Sequence, residues 1–202
     1  METKMETRRI IALDIGNVCL EIDPARCADA LGPHPGAFPS EIVSATDALE
    51  KGKLSEKEWL DTVGQATDGR FENGEILEAF NSIIGKTIPE TAEFAENAVA
   101  RGFRLIFLSD TSEIHLREVR GKLSFAHIVS GGVYSFETGT KKPDMAMFRL
   151  FERRYGLPAI FIDDKAENVQ AAVSAGWNAV VLPKSPEKRR SALLNAVANI
   201  LD

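Results

Sequence analysis

Three apolar runs of this 202-residue chain end on side chains with chemical potential. Ile10-Ile11-Ala12-Leu13 ends on Asp14, with Gly16 and Asn17 just behind it. Phe103 to Leu108 ends on Ser109 and Asp110, and Ala159 to Ile162 ends on Asp163 and Asp164. A buried strand that closes on one carboxylate and a glycine presents that carboxylate at the sheet's C-terminal edge, where open α/β sheets bind ligands. Two adjacent carboxylates repel, so keeping Asp163 and Asp164 both ionised is costly without a cation. A site of a few hard oxygens completed by water suits Mg²⁺. Lys142, in the polar stretch Ser135-Phe136-Glu137-Thr138-Gly139-Thr140-Lys141-Lys142-Pro143-Asp144, brings a compact positive charge for an anion. Each position also has an ordinary structural use. Asp14 can serve as a turn residue, Ser109 as a helix cap, and Asp164 as the cap of a helix with Glu167 at its N3 position.

The runs that carry these residues read as strands. Ile10–Leu13, Phe103–Leu108, Ala159–Ile162 and Ala179–Leu182 are nearly continuous in apolar residues, as parallel strands covered on both faces should be, and Ala126–Val129 is a weaker fifth. Helix-period segments at Glu113–Leu123, Met145–Tyr155, Glu167–Ala175 and Glu187–Leu201 alternate with the later strands, which predicts a doubly wound parallel sheet. Between Leu13 and Phe103 no comparable strand occurs. Asp23-Pro24 opens a helix through Leu31, Gly32-Pro33-His34-Pro35-Gly36 is a loop, and Ser40–Glu50 is a second helix closed by Gly52. Ser55-Glu56-Lys57-Glu58 is a capping box with Leu54 and Trp59 as its hydrophobic staple. Helices at Glu72–Ile84, ended by Gly85, and Pro89–Ala100, stopped by Gly102, complete the interval.

Asp14-Ile15-Gly16-Asn17-Val18 resembles the first motif of the haloacid dehalogenase-like (HAD) phosphohydrolases. Ser109, Ser-x-Glu-x-Gly-x-x-Lys-Pro-Asp ending at Asp144, and Asp163-Asp164 resemble the other three in order. The resemblance covers the whole chain, because a helical insert after the first strand is where relatives with the smaller helical cap carry it. It implies an α/β Rossmann-like core at 1–23 and 89–202 and a small α-helical cap at 24–88. It further implies Asp14 as nucleophile and Mg²⁺ ligand, Ser109 as hydrogen-bond donor to a phosphoryl oxygen, and Lys142 as the cation for the phosphate and the aspartyl phosphate. Asp164 would bind the metal directly, and Asp163 would act through water or as a second ligand. Asn168 would be a hydrogen-bonding partner behind them. Gly16, Asn17 and Asp110 fall on the substrate-binding side, although the spacing of Asp110-Thr111-Ser112-Glu113 makes Asp110 a capping residue first.

Gly16 departs from the usual family pattern, which has a second aspartate there. In relatives that residue's carbonyl binds Mg²⁺ and its carboxylate protonates the leaving oxygen, then activates water. Glycine keeps the carbonyl and deletes the carboxylate. A positioned acid/base contributes ~10²–10⁴-fold, which leaves room for a working enzyme. The Asp-x-Gly-Asn-Val form also resembles a branch with sugar-1-phosphate phosphatases. The resemblance therefore implies a Mg²⁺-dependent phosphatase of small phosphorylated metabolites that prefers anomeric sugar phosphates or aryl phosphates. A 2-haloacid dehalogenase and a catalytically impaired binding or regulatory protein are the alternatives.

Composition bounds the remainder. With 24 basic against 30 acidic residues, the net charge of −6 argues against nucleic acid or an anionic membrane as partner. Cys19 and Cys27 are too few for a disulfide scaffold and read as buried fillers. No stretch approaches the ~18 apolar residues of a membrane span. The polar N-terminus running straight into a strand is not a secretory signal, so a cytoplasmic enzyme is the expectation. His34, His115 and His127 show no catalytic spacing. Lys141 reads as solvated, Trp59 and Phe71 as packing of the cap, and Arg70 and Lys53 as cap cations without a placed role.

Overall fold

Alternate residues of the apolar runs face opposite ways, and each face is covered. The computed structural model of the protein describes residues 9–31 and 39–201, so the loop containing His34 lies outside the described residues. The sheet strands are β1 (Ile10–Leu13), β4 (Arg104–Ser109), β5 (Val129–Tyr134), β6 (Ile160–Asp163) and β7 (Ala179–Val181); a separate pair is formed by β2 (Leu20–Ile22) and β3 (Ile84–Thr87). The five-stranded sheet runs in the order β5-β4-β1-β6-β7 and is parallel throughout. The chain winds from β1 outward through β4 and β5, then returns to the other side of β1 with β6. This reversal opens a crevice beside β1, the place where open α/β sheets bind ligands.

Ten α-helices are described. They are α1 (Ala25–Leu31), α2 (Ser40–Glu50), α3 (Glu56–Ala66), α4 (Asn73–Asn81), α5 (Pro89–Ala100), α6 (Glu113–Lys122), α7 (Ser135–Thr138), α8 (Met145–Tyr155), α9 (Ala166–Ser174) and α10 (Pro186–Leu201). Ile11, Leu13, Leu105, Phe107, Ile160 and Ile162 point to one face, against α5, α6 and α10. Ala12, Ile106, Leu108 and Phe161 point to the other, against Met147, Phe148 and Phe151 of α8, and Ala172 and Trp177 at α9. This is why the runs lack polar alternation: neither face meets water. Helices α1 to α4 lie between β2 and β3 and have their own apolar cluster around Trp59, Ile42, Val63 and Ile76. Among the described residues no helix is long and apolar enough to cross a membrane.

Three expectations shift. The helix expected over Glu72–Ile84 stops at Asn81, where the Ser82 hydroxyl bonds the Ala79 carbonyl at 2.6 Å. Ile84 then pairs with Ile22 in the antiparallel β2–β3 ribbon, which was not foreseen. The fifth strand begins at Val129 rather than Ala126, because Ala126–Ile128 forms a 3₁₀ turn and the strand continues through Gly131-Gly132 to Tyr134. Both cysteines are free and buried.

Candidate active site

Register brings the reactive ends together. Leu13 pairs with Phe107 on one side and Ile162 on the other, so Asp14 and Asp163 emerge level on adjacent strands, with Ser109 one residue further along β4 than the position opposite Asp14. Lys142 arrives from the loop before α8 and is almost wholly buried. Its Nζ lies 2.8 Å from Asp14 Oδ1 and 2.7 Å from Asp163 Oδ2, and donates to the Leu108 carbonyl at 2.9 Å. A buried ammonium survives only where acceptors surround it. Burial works against the Lys142 charge, but Asp14, Asp163 and Asp110 outweigh it and hold the ammonium above its ordinary range. For Asp14, burial pushes the carboxyl up to about 6, with Lys142 pulling it back and Asp163 adding to the rise. At neutral pH it is a carboxylate.

Asp163 is fully enclosed, and both of its oxygens are engaged. Asn168 Nδ2 donates to them at 3.1 and 3.0 Å, and the Lys165 N–H donates at 2.8 Å. Asp164 is less enclosed and accepts from Asn17 Nδ2 at 3.2 Å. Asn17 has a left-handed backbone (φ 55°), which asparagine tolerates, and its Oδ1 accepts the Ile22 N–H at 3.2 Å. One side-chain amide thus ties the β1 loop, β2 and the end of β6. Carboxylate oxygens of Asp14, Asp163 and Asp164 lie within 4.8 Å of one another, a hard, anionic donor set that fits a divalent cation. Gly16, Ser109 and Asp110 line the same pocket, of about 180 Å³.

The cap of α6 is Ser112, whose hydroxyl accepts the His115 N–H at 3.2 Å, and not Asp110. Asp110 Oδ1 instead accepts the Lys142 N–H at 2.9 Å, fastening the lysine loop to β4. Burial raises its carboxyl above the ordinary range, while Lys142 lowers it. Nor does Asp164 cap α9: that helix has Lys165 at its N-cap position with no side-chain bond. Asp144 does cap α8, accepting the Ala146 N–H at 2.8 Å.

Lys141, expected to be solvated, is only partly so. Its Nζ bridges Asp47 at 2.7 Å and Glu50 at 2.6 Å, both on α2, so the helical insert is tied to the loop that carries Lys142. The Ser135 hydroxyl adds a 2.6 Å contact to the Glu50 carbonyl. Gly52, with φ 61°, packs so close to the Phe136 carbonyl that a β-carbon there would collide with it.

Glu50 and His115 line the pocket, although nothing in their spacing singled them out. His115 stacks on Phe80 with ring centroids 3.8 Å apart, and its Nε2 lies 3.0 Å from the Phe80 carbonyl. Burial lowers its pKa to about 4, so the ring is neutral at pH 7. Arg70 and Lys53 are not among the residues lining this pocket: Arg70 bonds the Thr67 carbonyl at 3.0 Å and lies over the Phe71 ring.

The sequence profile described as haloacid dehalogenase-like hydrolase matches residues 9–176. No curated protein matches the chain. Among solved structures, a HAD family enzyme of Bacteroides thetaiotaomicron is 18% identical with a TM-score of 0.78, covering 89% of this chain and 96% of that one. The same enzyme has been solved with magnesium and inorganic phosphate, with a TM-score of 0.74 at 18% identity, covering 88% of this chain and 96% of that one. An L-2-haloacid dehalogenase of Xanthobacter autotrophicus with chloropropionic acid covalently bound is 13% identical with a TM-score of 0.60, covering 87% of this chain and 77% of that one. At these identities the structural likeness concerns the fold.

Proposed function

The chain belongs to the haloacid dehalogenase-like hydrolases, and from that premise we propose that it is a Mg²⁺-dependent phosphatase of small phosphorylated metabolites working through an aspartyl phosphate. The observation that carries the reading is the acidic trio Asp14, Asp163 and Asp164 beside Lys142 at the mouth of the sheet crevice. Displacement of halide from a 2-haloacid needs a nucleophilic carboxylate but no divalent cation, and would leave such a trio without purpose.

In this reading Asp14, the Gly16 carbonyl and Asp164 would hold the metal, with Asp163 beside them. Bound Mg²⁺ supplies charge neutralisation at the phosphoryl oxygens. Asp14 attacks phosphorus, the bond to the leaving oxygen breaks, and the phosphoryl group rests on the Asp14 carboxylate until water cleaves it. Lys142 offsets the negative charge that approaches Asp14, and Asp163 and Asn168 keep its ammonium aimed. Ser109 donates to a phosphoryl oxygen. Because Gly16 offers no proton, the leaving oxygen departs most readily when it is stable as an anion. The helices between β2 and β3 serve as a cap, within 24–88, over a core of 1–23 and 89–202, and the Lys141 bridges tie that cap to the loop carrying Lys142.

Phosphate release should be measured over a panel of phosphomonoesters with Mg²⁺ and again after chelation. Release that stops on chelation and resumes with Mg²⁺ is expected. Halide release from a 2-haloacid that persists under chelation would replace this reading with the dehalogenase one.

A further inference from the structure

Resting on the phosphatase reading, we propose that the substrate's leaving group is aromatic or otherwise apolar, received in a cavity between α1, α2 and the end of α4. This cavity, of about 520 Å³, is lined by Ile22, Cys27, Ala28, Val43, Phe80 and Ile83 among its apolar residues. Its size falls in the range of sites that enclose small molecules. It adjoins the catalytic pocket, since Ile22, Glu50, Ile83 and His115 line both. The cavity thus lies beside the space where an ester held at Asp14 would place its leaving group.

The polar groups on those walls are engaged within the protein. Asp47 and Glu50 are both bonded to Lys141, at 2.7 and 2.6 Å. The Thr46 hydroxyl accepts from Trp59 Nε1 at 3.1 Å, and His115 Nε2 is on the Phe80 carbonyl. Hydrogen-bonding groups lie along one edge, at Asp47, Glu50 and Lys141, whereas a flat ring would bury apolar surface against Phe80, Ile83 and Val43 on the remaining walls. Val43, 54% exposed, stands at the open side of the cavity lining. The chemistry at Gly16 agrees. When the P–O bond breaks, the electron pair stays on the leaving oxygen, and an aryloxide carries it without a proton from the protein. It takes its proton from water afterwards.

The test compares kcat/KM, with Mg²⁺, for 1-naphthyl phosphate, glucose 1-phosphate and acetyl phosphate, on the unaltered protein and on Ala28→Trp and Val43→Asp. Ala28→Trp fills the cavity, and Val43→Asp charges an exposed position that the fold does not need apolar. Naphthyl phosphate should exceed glucose 1-phosphate by about tenfold or more, and either variant should lower the naphthyl-to-acetyl ratio by a similar factor, chiefly through KM. Direct binding of 1-naphthol, followed by its fluorescence without any turnover, should weaken in both variants. Glucose 1-phosphate matching naphthyl phosphate, or 1-naphthol binding untouched by both variants, overturns the cavity assignment and leaves the phosphatase reading standing. Failure of all three phosphorylated compounds to release phosphate overturns both.

Discussion

Lys142 shows how one side chain sets the terms for its neighbours. It neutralises two enclosed carboxylates, so Lys142→Met leaves Asp14 and Asp163 facing each other without a cation. Breaking a buried pair in this way costs about 3–5 kcal/mol, and a urea unfolding series should show a loss of that size. Asp14→Asn is the opposite case: the fold survives, and kcat should fall on the order of 10³-fold or more. A single-turnover assay that shows Asp14→Asn still transferring phosphoryl to protein would remove the nucleophile. At Gly16 a β-carbon would lie 3.2 Å from Ile22 Cγ1, a tight contact with a side chain that can be shortened. Gly16→Asp paired with Ile22→Ala, which removes that γ carbon, should therefore raise turnover of alkyl phosphates more than Gly16→Asp alone. At the residue scale, the gathering of Asp14 with the Asp163-Asp164 pair was legible from the strand ends that carry them. Asp110 misled because its spacing to Glu113 imitates a cap, while the side chain is recruited by a backbone N–H far along the chain.

Among the elements, helices with explicit ends were the easiest to read. Ser55 forms the full reciprocal box with Glu58, and Ser55→Ala should cost about 1 kcal/mol by thermal or urea denaturation. Strands β2 and β3 escaped notice because they are short and their partners stand on either side of four helices, so nothing local announces the pairing. Strand β5 was misplaced because Gly131-Gly132 interrupts its apolar run. The bridges from Lys141 to α2 were invisible for a related reason: a surface-type lysine says nothing about a helix distant in sequence until the fold brings them together. Those bridges are partly exposed, so Lys141→Ala should cost under about 1 kcal/mol of global stability. Its signature should be local, with faster amide hydrogen exchange in α2 and little change in the sheet.

The whole molecule carries a built-in acid sensitivity. His115 is buried neutral, with a pKa near 4 against 6.5 for the free side chain. As pH falls the unfolded chain takes up this proton first, so the contribution of His115 is complete above about pH 6.5 and declines toward pH 4. The difference amounts to roughly 3 kcal/mol across that window. Asp14, raised to about 6, takes up its proton in the folded state over the same interval and works in the opposite direction. The expected readout is therefore the difference in unfolding midpoint between the native protein and His115→Gln, which should shrink from pH 6.5 toward pH 4. The same helix joins the two halves of the protein, since Ile114 packs with the inserted helices while Leu116 and Val119 pack with the sheet. The chain's two tryptophans happen to divide along this boundary. Trp59 lies in the insert's apolar cluster, and Trp177 is ringed by Phe148, Phe151 and Phe161 on the far side of the sheet. The protein thus holds an intrinsic optical label in each half. Emission from Trp59→Phe and Trp177→Phe, recorded separately during denaturation, reports whether the halves let go in concert, and the shared α6 makes superimposable curves the expected outcome.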